Sequence, residues 1–200
     1  MTFSKEKTLV IIKPDGVQRS LIGEIIKRFE RLGLKMVALK MMIPSAEQVE
    51  KHYLIDPNWK RNVGEKALAA YEKKGMEPPT TDAEEAGEKV LDGLKKYMTS
   101  GPVVAMVLQG AHACAIVRKT VGGTEPLSSD VGTIRGDFVL DSYEMADTDS
   151  RAVRNLTHAS GNPEEAEKEI PIWFDENEIL RYRLVQEAIL YDVNLDGILE

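Results

Sequence analysis

A single cysteine, Cys114, leaves no partner for an internal disulfide and no CxxC pair for a thiolate metal site. It sits in the apolar stretch from Ala111 to Ile116 and reads as a small buried filler rather than a reactive thiol. Long apolar runs are missing too. None approaches the roughly 20 residues that a bilayer-spanning helix needs, so no membrane partner is expected. Met1 to Lys7 is polar and lacks the layout of a signal peptide, which makes a cytoplasmic protein the expectation. Basic excess is absent: 26 Lys and Arg stand against 33 Asp and Glu, a net charge of -7. That balance argues against dedicated nucleic-acid binding, which needs a clustered basic face. It leaves open a few cations gathered around a triphosphate. Neither GxxxxGK[ST] nor GxGxxG occurs, so the common glycine-rich phosphate cradles are excluded. What remains is ordinary for a globular chain, with 42% hydrophobic and 30% charged residues in 200. There is no internal repeat and no low-complexity tract.

The apolar pattern predicts a buried strand over Thr8–Ile12, stopped by a turn at Lys13-Pro14-Asp15-Gly16. Helical spacing follows from Leu21 to Leu32, with Gly33 as its C-cap. A second strand spans Leu34 to Ile43, and Ser45 caps a helix through Tyr53. A helix from Trp59 to Lys73 leads into an exposed loop around Gly75 to Asp82, and a helix resumes from about Ala86 to Tyr97. Val103 to Leu108 is the third strand, followed by a helix from Ala111 to about Lys119 and a long loop from Val121 to Ile134. Phe138–Leu140 is the candidate fourth strand, and the acidic stretch Asp141 to Ser150 reads as an insertion. Asn162 and Pro163 open a further helix that ends near Ile170-Pro171. The tail from Arg181 has some helical periodicity and then loses definition. The order βαββαβ predicts an α+β, ferredoxin-like antiparallel sheet with helices on one face. The chain is expected to be one domain over 1–200, with insertions at about 56–88 and 141–150.

Histidine is scarce, and each of the three is weighed separately. His52 and His112 lie in helices beside apolar neighbours, where a structural role is favoured over a catalytic one. His158 lies in the small, polar-rich Arg154 to Ser160 segment, and catalysis and structure are evenly balanced there. A neutral imidazole is nucleophilic at neutral pH, and a partner on its second nitrogen fixes the tautomer. Phosphoryl transfer also needs cations to spread charge on the moving group. Lys13 ends the first strand, Arg118 closes a helix, and Arg135 is flanked by Gly132 and Gly136. Arg118 could equally complement its helix C-terminus.

Several segments together resemble nucleoside diphosphate kinases: Ile11 to Arg19, Tyr97 to Val107, Gly132 to Phe138, Asn155 to Ser160, and Glu164 to Ile170 running into Trp173-Phe174. The match is in order and covers nearly the whole chain apart from the insertions. The resemblance implies ping-pong transfer from a nucleoside triphosphate to a diphosphate, with Mg2+ held mainly by the phosphates, in a homo-hexamer or homo-tetramer. It implies His158 as the phosphorylated nucleophile and Glu169 on its far ring nitrogen, with Ser160 bonded to Glu169. Lys13 and Asn155 would contact the ribose, and Arg118, Thr124 and Arg135 the phosphates. Tyr53 would orient Lys13 and the nucleophile. No protein side chain is assigned to the metal.

Three departures accompany the likeness. Val90 stands where the family presents an aromatic base clamp, so Val90 presses one apolar face on the base or the insertion supplies Trp59 or Tyr71. The family's His-Gly-Ser-Asp is His158-Ala159-Ser160-Gly161 here, without the acid. The two insertions are expected to alter the base end of the site or the subunit contacts. A catalytically weak member serving as a regulatory or binding module is the alternative reading.

Overall fold

A computed structural model of the chain describes residues 5–191 except 74 and 76. Its elements are β1 (Lys7–Ile12), α1 (Pro14–Gln18), α2 (Ile22–Glu30), β2 (Lys35–Met42), α3 (Ala46–Tyr53), α4 (Trp59–Lys73) and α5 (Ala83–Met98). They continue with β3 (Val103–Gln109), α6 (Ala113–Val121), α7 (Ile134–Phe138), α8 (Tyr143–Thr148), β4 (Thr157–Ala159), α9 (Pro163–Trp173) and α10 (Glu187–Leu190).

The strands form one sheet in the order β2-β3-β1-β4, with every neighbouring pair antiparallel. β1 lies inside it, which is why Thr8 through Ile12 are all fully buried. Successive side chains of a strand point to opposite faces, and two cores result. Val10, Ile12, Val104, Met106 and Leu108 meet Ile25 and Phe29 of α2 and Ala113, Val117 and Val121 of α6. Leu9, Ile11, Val103, Ala105 and Val107 meet Val49 of α3, Met98 of α5 and Trp173 of α9. The expected α+β sheet is present, and the two crossover helices α2 and α6 share one face. The other face is covered as well, by α3, α5 and α9, because both sides of the interior strands are apolar.

The fourth strand is Thr157–Ala159, not Phe138–Leu140. Thr133 accepts a hydrogen bond from the Gly136 N–H and starts α7, so Phe138 ends a helix, and Leu140 is 96% exposed. The Lys13–Gly16 turn is instead the start of α1, with Pro14 in the first turn, where its missing N–H costs nothing. α5 begins earlier than expected because the Asp82 carboxylate accepts from the N–H groups of Glu84 and Glu85. α9 runs past Pro171 to Trp173.

The segment expected to be the first insertion, 56–88, holds α4 and the start of α5, and the two helices pack together. Gly64 and Gly87 let the two backbones touch: a Cβ on Gly64 would overlap the Ala83 carbonyl, and one on Gly87 the Lys60 carbonyl. The segment expected to be the second insertion, 141–150, contains α8, capped by Ser142. Asp141 anchors it by accepting from Arg151 Nη1 (2.7 Å) and Nη2 (3.0 Å) and from the Arg154 N–H (2.7 Å). The tail forms α10, and the expected loss of definition falls on 192–200, outside the described residues.

Candidate active site

His158 is the middle residue of β4, opposite Ile11 of β1. The chain enters that strand through Leu156, whose φ of 61° is left-handed and therefore strained for a residue with a Cβ. Asp15 holds the bend. One carboxylate oxygen accepts from the Leu156 N–H (3.2 Å) and the other from the Tyr97 hydroxyl (2.6 Å). The Lys13 N–H donates to the Leu156 carbonyl (2.7 Å). A strained turn held at both the N–H and the carbonyl of Leu156 is a rigid mount for β4 and its histidine.

Around that turn the cations converge. Lys13, at the end of β1, is 5% exposed and donates from Nζ to Asn155 Oδ1 at 2.7 Å. Burial, then the nearby Arg135 charge, pull its pKa down to about 7, with Asp15 acting in the opposite sense. Asn155 in turn donates from Nδ2 to the Thr124 carbonyl at 3.0 Å. Arg135 is buried, and its guanidinium donates to four carbonyls: Asn155 (3.1 Å), Thr157 (2.6 Å), Gly122 (3.0 Å) and Gly123 (2.9 Å). Of its five N–H groups, one is left over. Arg118 of α6 is exposed and reaches the Ala159 carbonyl at 3.4 Å.

The His158 side chain is 16% exposed, so one edge of the ring is reachable. Its Nε2 lies 2.9 Å from Glu169 Oε1, although the approach is not aligned as a hydrogen bond. Burial, then Lys13, Arg135 and Arg118, hold its pKa down to about 3, which makes it a neutral imidazole at pH 7. Glu169 is 2% exposed, and burial raises its pKa against the pull of His52, Ser160 and Arg118. Ser160 donates to Glu169 Oε2 at 2.6 Å and accepts from the Leu9 N–H at 3.1 Å.

One cleft of about 1640 Å3 is lined by Lys13, Tyr53, Val90, Arg118, Thr124, Arg135, Asn155, His158 and Glu169, while Ser160 lies buried behind Glu169. Pockets for small ligands commonly measure about 300 to 1,000 Å3, so this cleft is wider than one such ligand needs. Trp59 and Tyr71 of α4 and Tyr143 of α8 line it alongside Val90. Trp59 stands 5.4 Å from Tyr53, ring centre to ring centre.

Two groups at the site could not be found from the sequence. His52, favoured there as structural, sits edge-on to His158 with ring centres 4.4 Å apart. Tyr97 lies under Lys13, its ring centre 5.2 Å from Nζ. Tyr97 falls inside a segment that carries the family likeness and His52 in none, and spacing alone could not bring α3 and α5 to β4. Among the described residues, the cluster of three metal-capable side chains is His52, His158 and Glu169. It is buried and nitrogen-rich, a poor match for Mg2+, which prefers octahedral oxygen.

The family model for nucleoside diphosphate kinase matches residues 6–76 and 80–179. A nucleoside diphosphate kinase of Pyrobaculum aerophilum is 52% identical over 179 residues, covering 88% of this chain and 98% of the relative. The crystal structure of an NDP kinase from that organism superposes with a TM-score of 0.86 at 50% identity, over 88% of this chain and all of the other. The nucleoside diphosphate kinase of Borrelia burgdorferi, solved as a transition-state mimic with vanadate and ADP, superposes with a TM-score of 0.77 at 38% identity, over 94% and 98% of the two chains. A shared sheet, a shared sequence over most of the chain and a neutral histidine among cations lead to one conclusion: the chain belongs to the nucleoside diphosphate kinase family.

Proposed function

We propose that His158 carries the phosphoryl group in a ping-pong reaction. The observation that carries this reading is a neutral, partly exposed imidazole with one nitrogen facing a buried carboxylate and three cations at hand. Because Nε2 faces Glu169, Nδ1 is the nitrogen free to attack. Nδ1 bonds to the γ-phosphorus as the bond to the bridging oxygen breaks, and the nucleoside diphosphate leaves with that electron pair. The proton stays on Nε2, where the Glu169 carboxylate answers the positive charge of the phosphohistidine. A terminal oxygen of the acceptor diphosphate then attacks the same phosphorus and restores the free imidazole.

Lys13 and Asn155, paired at 2.7 Å, present one donor and one amide toward the ribose hydroxyls. Arg118, Thr124 and the remaining N–H of Arg135 serve the phosphates. Tyr53, edge-on to His52 at 5.0 Å, orients the Lys13 and His158 side of the cleft. Val90, with Trp59 or Tyr71 of the same cleft, offers the base apolar faces and no edge-reading groups, consistent with broad base acceptance. Magnesium belongs to the substrate, as the nucleotide's counter-ion, held by phosphates and water. A homo-hexamer or homo-tetramer in the cytoplasm completes the reading. Among the described residues, no helix is long and apolar enough to cross a membrane.

Labelling with γ-phosphate-labelled ATP tests the assignment. The expected product is an acid-labile, base-stable phosphoprotein that discharges onto purine and pyrimidine diphosphates alike. A His158→Ala protein that still exchanged phosphate would remove His158 from the mechanism.

A further inference from the structure

Resting on that reading of His158, we infer that His52 is a positioning residue for the transfer, the link between Trp173 and the Glu169 carboxylate. The Trp173 indole donates from Nε1 to His52 Nδ1 at 3.2 Å. An indole can only donate, so Nδ1 must be the acceptor and the proton of the neutral ring must sit on Nε2. That Nε2–H faces Glu169 Oε1 at 3.7 Å, the same oxygen that stands 2.9 Å from His158 Nε2.

The carboxylate is thus held at both ends. Ser160 fixes Oε2, and His52 directs the positive end of an N–H dipole at Oε1. His52 also packs at 84° against the His158 ring, limiting its rotation. A neutral partner suits this place. Burial, then the His158 and Lys13 charges, hold the His52 pKa down to about 3 against the pull of Glu169, so it does not compete with the phosphohistidine as counter-ion. An anionic Glu169 is left for the one moment when His158 carries charge.

The groups facing Glu169 are His52 and Tyr53 of α3, His158 of β4, Ser160 beyond it, Cys114 and Arg118 of α6, and Glu165 of its own helix. Removing the His52 donor raises the Glu169 pKa further, so more of it is protonated at a given acid pH. The acid limb of the rate profile then moves to higher pH.

The test compares wild type, His52→Phe, His52→Gln and Trp173→Phe in phosphoenzyme formation and discharge across pH. His52→Phe keeps a ring without nitrogens. It is expected to slow discharge about tenfold, leave nucleotide KM within about twofold, and shift the acid limb upward. Gln can accept from Trp173 and donate to Glu169, and is expected to recover most of the rate. Trp173→Phe frees the tautomer without touching His52 and is expected to show the same shift at smaller amplitude, which keeps the test open if His52→Phe fails to fold. A wild-type rate and pH profile in His52→Phe or in Trp173→Phe would overturn the inference, as would a Gln variant as slow as the Phe variant. Wild-type enzyme that failed to label at His158 would instead sink the underlying mechanism.

Discussion

Lys13 is the residue whose charge state is most finely balanced. Its folded pKa of about 7 lies below the ordinary 10.5, so between those values the unfolded chain binds more protons than the folded one. Stability therefore rises with pH through that window, and holding the buried charge costs stability below it. Nucleotide binding runs the other way, because phosphates favour the charged amine. Above pH 7, ADP binding should take up a proton and weaken with pH. Calorimetry in two buffers of different ionisation enthalpy should detect the uptake, and Lys13→Met should abolish it. Arg135 invites a second substitution. Its four carbonyl bonds tie the Gly122–Gly123 loop to Asn155 and Thr157, and a lysine cannot spread over all four. Arg135→Lys should lower stability by about 2 to 3 kcal/mol, read from denaturant midpoints, and raise the nucleotide KM. His158, Lys13 and Arg135 stood out as candidates from the residues around them, whereas Asn155 was named only through the family resemblance. His52 was not, since a lone histidine on an amphipathic helix resembles any partly buried one until its neighbours are known.

At the scale of elements, the α4–α5 pair depends on two glycines at its crossing. Gly64→Ala or Gly87→Ala must push the helices apart against backbone, which does not yield as a side-chain tip would. Either should cost about 1 to 3 kcal/mol and, because α5 carries Val90 and α4 carries Trp59, raise KM more than it lowers kcat. Thermal midpoints and steady-state kinetics on both variants would check this. Helix α4 and the Ser45-capped α3 were readable from local spacing and capping, which are properties of neighbours in sequence. The false strand at Phe138–Leu140 shows the limit. Three apolar residues suit several conformations, and β1 had one open edge, which Thr157–Ala159 occupies.

Taken whole, the molecule is acidic at -7 and yet gathers Lys13, Arg118 and Arg135 in one cleft. Its β2 edge presents Leu39, Met41 and Ile43, each about half exposed or more and spaced to share one face. If the proposed homo-oligomer is built across that edge, Met41→Glu should give a smaller particle by sedimentation, while Lys119→Glu, also exposed and away from the edge, should not. By itself the sequence determined the continuous apolar runs that bury both faces of β1 and β3, the capped helices, and the family that these segments belong to, because each is written in residues close together along the chain. Only the tertiary structure decided which short segment became β4, how α4 and α5 close over the cleft, and that His52 and Trp173 stand behind Glu169. Those are contacts between residues tens to more than a hundred positions apart, and packing selects them only once the sheet exists.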